Sequence, residues 1–177
     1  MTSAVTWRAA VYADRPLLAG FCCTRTPPLV RKTKRKERID PRPWERVVQS
    51  FARQLQVPVK PPAHCILGLD DQGVVAFVHF SMHDAPEFIH LDAIAVRADH
   101  RGRGGLLADR AFDEFFNLAL GFLPEHGTTS IDAWIHERNE PSRSLAKRRG
   151  FAQGFDTMTN PRVPGLHHQW VLDITVG

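Results

Sequence analysis

Three groups of residues in this chain are of a type and spacing to do chemistry. The first lies between Val96 and Leu106, which reads Val-Arg-Ala-Asp-His-Arg-Gly-Arg-Gly-Gly-Leu, glycine-rich and carrying Arg101 and Arg103. It joins an apolar run, Phe88 to Val96, to a segment whose Leu107, Ala111, Phe112, Phe115 and Ala119 share one helical face. A strand ending in a glycine loop that opens a helix gathers backbone N–H groups at one point. There the helix's unpaired donors and its dipole favour an anion, and the chemistry suggested is diphosphate binding. A Walker loop needs a Gly-Lys pair, which is absent, and a dinucleotide fingerprint fails because Leu107 stands where the third glycine should.

The second group is His90 and Asp92, two apart on the strand that leads into the loop and therefore on one face of it. A carboxylate or an imidazole there can act as a general base, the imidazole with a pKa closer to neutral. The plainer readings are an aspartate in a wet cleft or paired with an arginine, and a hydrogen-bonded strand histidine. His136 and Glu137 end a later strand and are secondary candidates. The third group is Arg31–Arg38 (RKTKRKER), six basic residues and one acidic, readable as a solvated loop or as a clamp for an anion. His79 and His83 sit on or just after a strand, where a spacing of four does not converge. With no H-E-x-x-H or C-x-x-C present, no metal is expected.

The elements that must position these groups follow from periodicity and turn chemistry. Val5–Tyr12 reads as a first strand and Ala13 to about Cys22 as a short apolar helix. Trp44, Val47, Val48, Phe51 and Leu55 form one face of a second helix. His64–Leu69 and Val74–Phe80 flank Asp70-Asp71-Gln72-Gly73 and predict a hairpin. Phe88–Val96 is apolar on both faces over its second half, as a central strand should be. Ser130–Ile135 predicts a strand, Pro141–Arg149 a helix stopped by Gly150, and Phe151–Thr159 with His168–Thr175 two late strands around an irregular loop, Asn160–Gly165. Trp44, Phe51, Phe112 and Phe115 are expected in the core, and Cys22-Cys23 at an apolar helix end. The order β-α-α-β-β-β-α-β-α-β-β predicts an α/β fold.

A chain of 177 residues, 43% apolar, suits one domain, 1–177, with a real core. Its net charge is +4 while the basic octet alone carries +5, so the remainder sums to −1 and no general polyanion surface exists. Nucleic acid is therefore not an expected partner. No apolar run approaches the roughly 20 residues of a membrane span, and the N-terminus lacks a signal-peptide core. A cytoplasmic protein with reduced thiols at Cys22, Cys23 and Cys65 is expected.

The glycine stretch resembles the pyrophosphate loop of the GNAT superfamily of acetyl-CoA-dependent N-acetyltransferases, Q/R-x-x-G-x-G/A. Arg101 and Gly104 fall on its diagnostic positions, and Leu106 stands where the family has Gly or Ala unless Gly105 takes that place. Asn139–Phe151 is similar to the family's N-x-x-A-x-x-x-Y-x-K-x-G-F: Asn139, Arg148, Gly150 and Phe151 are in register, Ser142 is a small substitute, and Ala146 replaces the tyrosine. The two motifs cover about Phe88 to Phe155. A segment of about residues 27–41, around the basic octet, looks like an insertion.

The resemblance implies the GNAT fold, a mixed and mostly antiparallel central sheet flanked by helices. It implies that Ile94, Ala95 and Val96 meet the pantetheine arm, with the Val96 N–H nearest the thioester carbonyl. The amides of Arg101, Gly102, Arg103, Gly104, Gly105 and Leu106 would hold the pyrophosphate, with Asn139 and Ser142 also at the cofactor. Asp92 stands where several members carry a glutamate base. Ala146 has no proton for the leaving thiolate, and Tyr12, the chain's one tyrosine, is far away in sequence. The implied reaction is acetyl transfer from acetyl-CoA to a primary amine by direct attack. The alternative is a degenerate module that binds acyl-CoA or a partner. Asp84, Glu87 and Asp92 would suit a cationic acceptor, the octet an acidic one, and the protein is expected as a monomer or homodimer.

Overall fold

The computed structural model describes residues 4–24, 42–82, 88–102, 106–121, 123 and 127–176. The octet Arg31–Arg38, His83, Asp84, Glu87 and the loop residues Arg103, Gly104 and Gly105 lie outside them. Alternation of branched and aromatic residues yields seven strands: β1 (Thr6–Ala9), β2 (Ala63–Asp70), β3 (Gly73–Met82), β4 (Phe88–Val96), β5 (Gly127–His136), β6 (Ala152–Asn160) and β7 (Val163–Val176). Among the described residues there are also four α-helices, α1 (Arg15–Ala19), α2 (Pro43–Gln54), α3 (Leu106–Leu120) and α4 (Glu140–Arg148), and two 3₁₀ turns, Tyr12–Asp14 and Ala98–His100.

The strands form one sheet in the order β1-β2-β3-β4-β5-β7-β6. Every neighbouring pair is antiparallel except β4–β5, which is parallel. Those two strands share only three rungs, Phe88 with Ser130, Ile89 with Ile131 and His90 with Asp132. Beyond His90 they diverge, and the facing edges of β4 and β5 run on without pairing to each other. On its other edge β4 pairs with β3 from Ile89 to Val96, with a shift between His79/Ala93 and Phe80/Leu91 that leaves Asp92 as the extra residue of a bulge.

Each face of the sheet has its own core. Under α3 and α4 lie Val78, Phe80, Ile89, Ile131, Phe112, Phe115 and Trp170. Under α1 and α2 lie Leu18, Phe21, Ala52, Cys65, Leu67 and Phe77. Each of the two helix-bearing layers buries one apolar stripe, which is how such a sheet is stabilised.

The structure shortens the first strand. Asp14 accepts the Val11 amide at 2.8 Å and the Arg8 guanidinium at 2.6 and 2.7 Å, which turns the chain out of β1 after Ala9. Tyr12 therefore sits in a 3₁₀ turn, and the expected helix to Cys22 is only Arg15–Ala19. The expected loop Asn160–Gly165 is tighter too: Asn160 pairs with Val163, Asn160 Oδ1 accepts the Arg162 amide at 2.9 Å, and Val163, Pro164 and Gly165 belong to β7.

Candidate active site

The divergence of β4 from β5 leaves backbone donors free. The Arg97 amide donates to Val75 O at 2.7 Å, which makes Val96 and Ala76 a non-bonded pair of the antiparallel ladder. By the alternation of such a ladder, the amides of Ile94 and Val96 face the opposite edge, where β5 has moved away. Ala95, between them, belongs to the β3 ladder opposite Phe77. The gap opens into a cleft of about 850 Å³. Phe112, Ala146 and Phe151 line it from the α3/α4 face of the sheet, and Trp44, Val48 and His90 from the α1/α2 face, so the cleft passes between the strands from one face to the other.

On the α1/α2 face a row of polar side chains crosses four strands. His79 Nδ1 on β3 donates to Asp92 Oδ2 at 2.9 Å, and Ser81 Oγ donates to the same oxygen at 3.3 Å. Asp92 Oδ1 lies 3.6 Å from His90 Nε2. His90 Nδ1 donates to Asp132 Oδ1 on β5 at 2.7 Å, and Gln169 Nε2 on β7 donates to Asp132 Oδ2 at 3.3 Å. The bond to Asp132 raises the His90 pKa above its ordinary value; burial opposes the rise, and the charges of Asp132 and Asp92 reinforce it.

The glycine loop begins at Gly102, whose φ of +90° is in the left-handed region that side-chain-bearing residues avoid. Arg101 is held from two sides: its guanidinium pairs with the buried Glu45 of α2, and its Nε donates to Val96 O at 3.3 Å. Asn139 Oδ1 accepts the Ser142 amide at 3.4 Å and caps α4. Asn139, Ser142, Gly102 and Leu106 all line the cleft.

The acetyltransferase (GNAT) family profile matches residues 29–151. The chain belongs to the GNAT acetyltransferase family. No protein of curated function matches the sequence at a significant level. Among solved structures, a GNAT-family acetyltransferase from Desulfovibrio desulfuricans is similar at 18% identity and a TM-score of 0.62, over 98% of this chain and 100% of that one. Nourseothricin acetyltransferase is similar at 17% identity and 0.64, over 97% and 99%. Mutant forms of the spermidine/spermine N-acetyltransferase of Vibrio cholerae are similar at 12% and 0.60, over 96% and 94%. At these identities the likeness is one of fold, the mixed seven-stranded sheet flanked by helices.

Within this GNAT fold the structure brings His90, Asp92, Ile94, Val96, Arg101, Gly102, Leu106, Asn139 and Ser142 to one cleft. Leu106, in place of the family's small residue, is 71% exposed. Ala146 lines the cleft, whereas Tyr12 is absent from its wall and stands exposed with the Arg15 guanidinium 5.3 Å over its ring. His136 is buried with both nitrogens engaged: Nδ1 accepts the Arg138 amide at 3.0 Å and Nε2 donates to Pro164 O at 2.9 Å. Such a ring is not available to move a proton.

Trp44 departs from the core expected for it: half-buried, it lies over His136 with ring centres 4.8 Å apart and lines the cleft. Phe112 and Phe115 are buried in the core, and Phe51 is packed against it. Cys23 is buried against Glu45 O, and burial pushes its thiol up to about 11 and that of Cys65 up to about 12, so neither is poised as a nucleophile. Sequence reasoning missed Asp132, Gln169, His79, Glu45 and Trp44 as parts of the site. A charged residue inside the apolar strand Ile131–Ile135 was the one available signal, at Asp132.

Proposed function

We propose that this chain transfers an acetyl group from acetyl-CoA to a primary amine by direct attack while both substrates are bound. The observation that carries the reading is the cleft through the sheet. A pantetheine arm laid in it can pair with the Ile94 and Val96 edge, and a carbonyl facing the Val96 amide would be polarised as an oxyanion is, by a fixed backbone donor. The N-terminus of α3 at Leu106, which follows the glycine-rich sequence, suits the diphosphate. The acceptor nitrogen then meets the thioester from the α2 side, where His90 and Asp92 stand ready to take its proton.

The fit is not uniform along the cofactor's path. Arg101 is already paired with Glu45, so the backbone, rather than this guanidinium, is the expected diphosphate ligand. Ala146 supports a second reading, a module that holds acyl-CoA without turnover, because no side-chain proton is available there for the thiolate. The bound acceptor would rest against Trp44, and the family's breadth of amines leaves its identity to experiment.

Calorimetry with acetyl-CoA, followed by CoA thiol release with a panel of polyamines, aminoglycosides, amino acids and peptide N-termini, tests the reading. Acetyl-CoA binding with thiol release from at least one amine is expected. Binding without release from any amine would favour the module, and absence of binding would overturn both.

A further inference from the structure

Asp132 belongs to neither sequence motif, yet its contacts decide what His90 can do. It is buried on β5, its side chain 12% exposed, at the last rung before the gap. A carboxylate offers only acceptors, so the hydrogen of the 2.7 Å contact sits on His90 Nδ1, and in the neutral ring Nε2 carries a lone pair. Gln169 fixes the other Asp132 oxygen from β7, which orients the carboxylate from a third strand. Nε2 faces only Asp92 Oδ1 among the contacts seen, at 3.6 Å, an ion-pair distance too long for a hydrogen bond. Asp92 in turn is held through its second oxygen by His79 and Ser81.

We propose that Asp132 positions His90 as a two-way proton carrier. Nε2 takes a proton from the acceptor nitrogen as it adds to the thioester carbonyl, and returns that proton to the sulfur as the carbon–sulfur bond breaks. One carbon–nitrogen bond forms, one carbon–sulfur bond breaks with its electron pair left on sulfur, and the proton passes from nitrogen through Nε2 to the thiol. His90 ends neutral, as it began. The proposal rests on the acetyl-transfer reading above, and it supplies the step for which Ala146 has no group.

Two carboxylates suit an imidazolium in transit. Asp92 faces the ring from its own strand and Asp132 from β5, with His79 behind Asp92 on β3. Gln169 of β7 adds a neutral amide, and Glu45 of α2, on the same cleft, is already paired with Arg101 and Arg42. His136 and His167 complete the wall from β5 and β7. Return of the proton is downhill, since an ordinary thiol has a pKa of about 8.5, above the range expected of a histidine.

The decisive variant is Asp132→Asn. An asparagine amide can donate to Nδ1 and so favour the tautomer with hydrogen on Nε2, which cannot accept. In the free protein, NMR titration of His90, assigned with His90→Gln, should give a pKa above its ordinary value that falls in the variant. With the most active amine of the panel, kcat/KM at pH 7 should fall about 10²–10⁴-fold while acetyl-CoA affinity stays within about two-fold. The acidic limb of the wild-type profile should coincide with the His90 titration, and Asp132→Glu should recover part of the loss. His90→Gln, at a side chain 28% exposed, gives the same activity loss without touching a buried carboxylate. An unshifted His90 pKa, or an unshifted acidic limb with normal turnover in Asp132→Asn, overturns the positioning role alone. Normal titration with no thiol release from any amine overturns acetyl transfer, and the carrier with it.

Discussion

On the α3/α4 side of the gap, Phe112 meets Phe115 and Phe151 edge to face with ring centres 5.6 and 5.8 Å apart, and Phe112, Ala146 and Phe151 give the cleft an apolar surface beside the polar Asn139, Ser142 and Arg148. On the α1/α2 side, His90 and Asp92 line the cleft, in ion-pair contact with each other, and behind them His79 holds Asp92 while Asp132, held by Gln169, holds His90. Both walls come from the same stretches of chain, because successive residues of a strand point to opposite faces. Ile89 and Leu91 serve the first and His90 and Asp92 the second; on β5, Ile131 and Ala133 alternate with Asp132 and Trp134. The difference teaches that one edge can present an apolar bed on one face of the sheet and a carboxylate–imidazole set on the other, the division that the proposed thioester arm and amine would use.

If the division is real, the apolar wall should carry stability and the polar wall turnover. Phe112→Ala should lower the unfolding free energy by about 3–5 kcal/mol, or roughly 10 °C in the thermal midpoint. Trp44→Ala, at a half-buried ring, should cost less than half as much while raising the KM for the amine. Equal losses of stability in calorimetry would abolish the distinction.

A sharper test lies at the rim of the polar wall. Gly165 has φ +122°, and a Cβ built there would stand 2.4 Å from His136 Nε2. Gly165→Ala must therefore break the His136 bond to Pro164 O, and we expect a loss of about 2 kcal/mol in denaturant unfolding. A neutral result would mean that this wall yields more readily than its hydrogen bonds suggest.

The smallest expected effect reads the polar wall's charge. His90 has a raised folded-state pKa, so its contribution to stability is fully present below its unfolded value of about 6.5 and is lost as pH rises through the folded value. His64 and His167 are lowered by burial and act with the opposite sign. The difference in midpoint between wild type and Asp132→Asn isolates the first effect. It should be larger at pH 6 than at pH 8.5, by about 1–2 °C; a pH-independent difference would detach Asp132 from the His90 charge.

Local features were legible in the sequence. Phe88–Val96 was bounded correctly because an apolar run ends there at glycine-loop chemistry, and the Asp70–Gly73 turn announced its hairpin. The helix expected at Pro141–Arg149 is α4 within one residue at each end, and Gly150 is its stop, with φ +84°. What was hidden depends on register between distant segments. His90 and Asp132 are 42 residues apart, Arg101 and Glu45 are 56 apart, and only the three-rung junction of β4 with β5 brings the first pair together. Trp44 reads as core from its helical spacing because periodicity tells which face is apolar, not whether a cleft lies beneath it. The Asp14 turn that cuts β1 short needed Arg8 and the Val11 amide together, a three-way contact with no sequence pattern.

A cleft walled from both faces of the sheet has a kinetic corollary. Under the proposed reaction, donor and acceptor entering from opposite faces would not queue for a common doorway, and the thiol and the new amide would depart by separate exits. Neither product then blocks the other's release, so initial velocities should fit a sequential scheme of intersecting lines, with each product competing chiefly against the substrate that shares its own side.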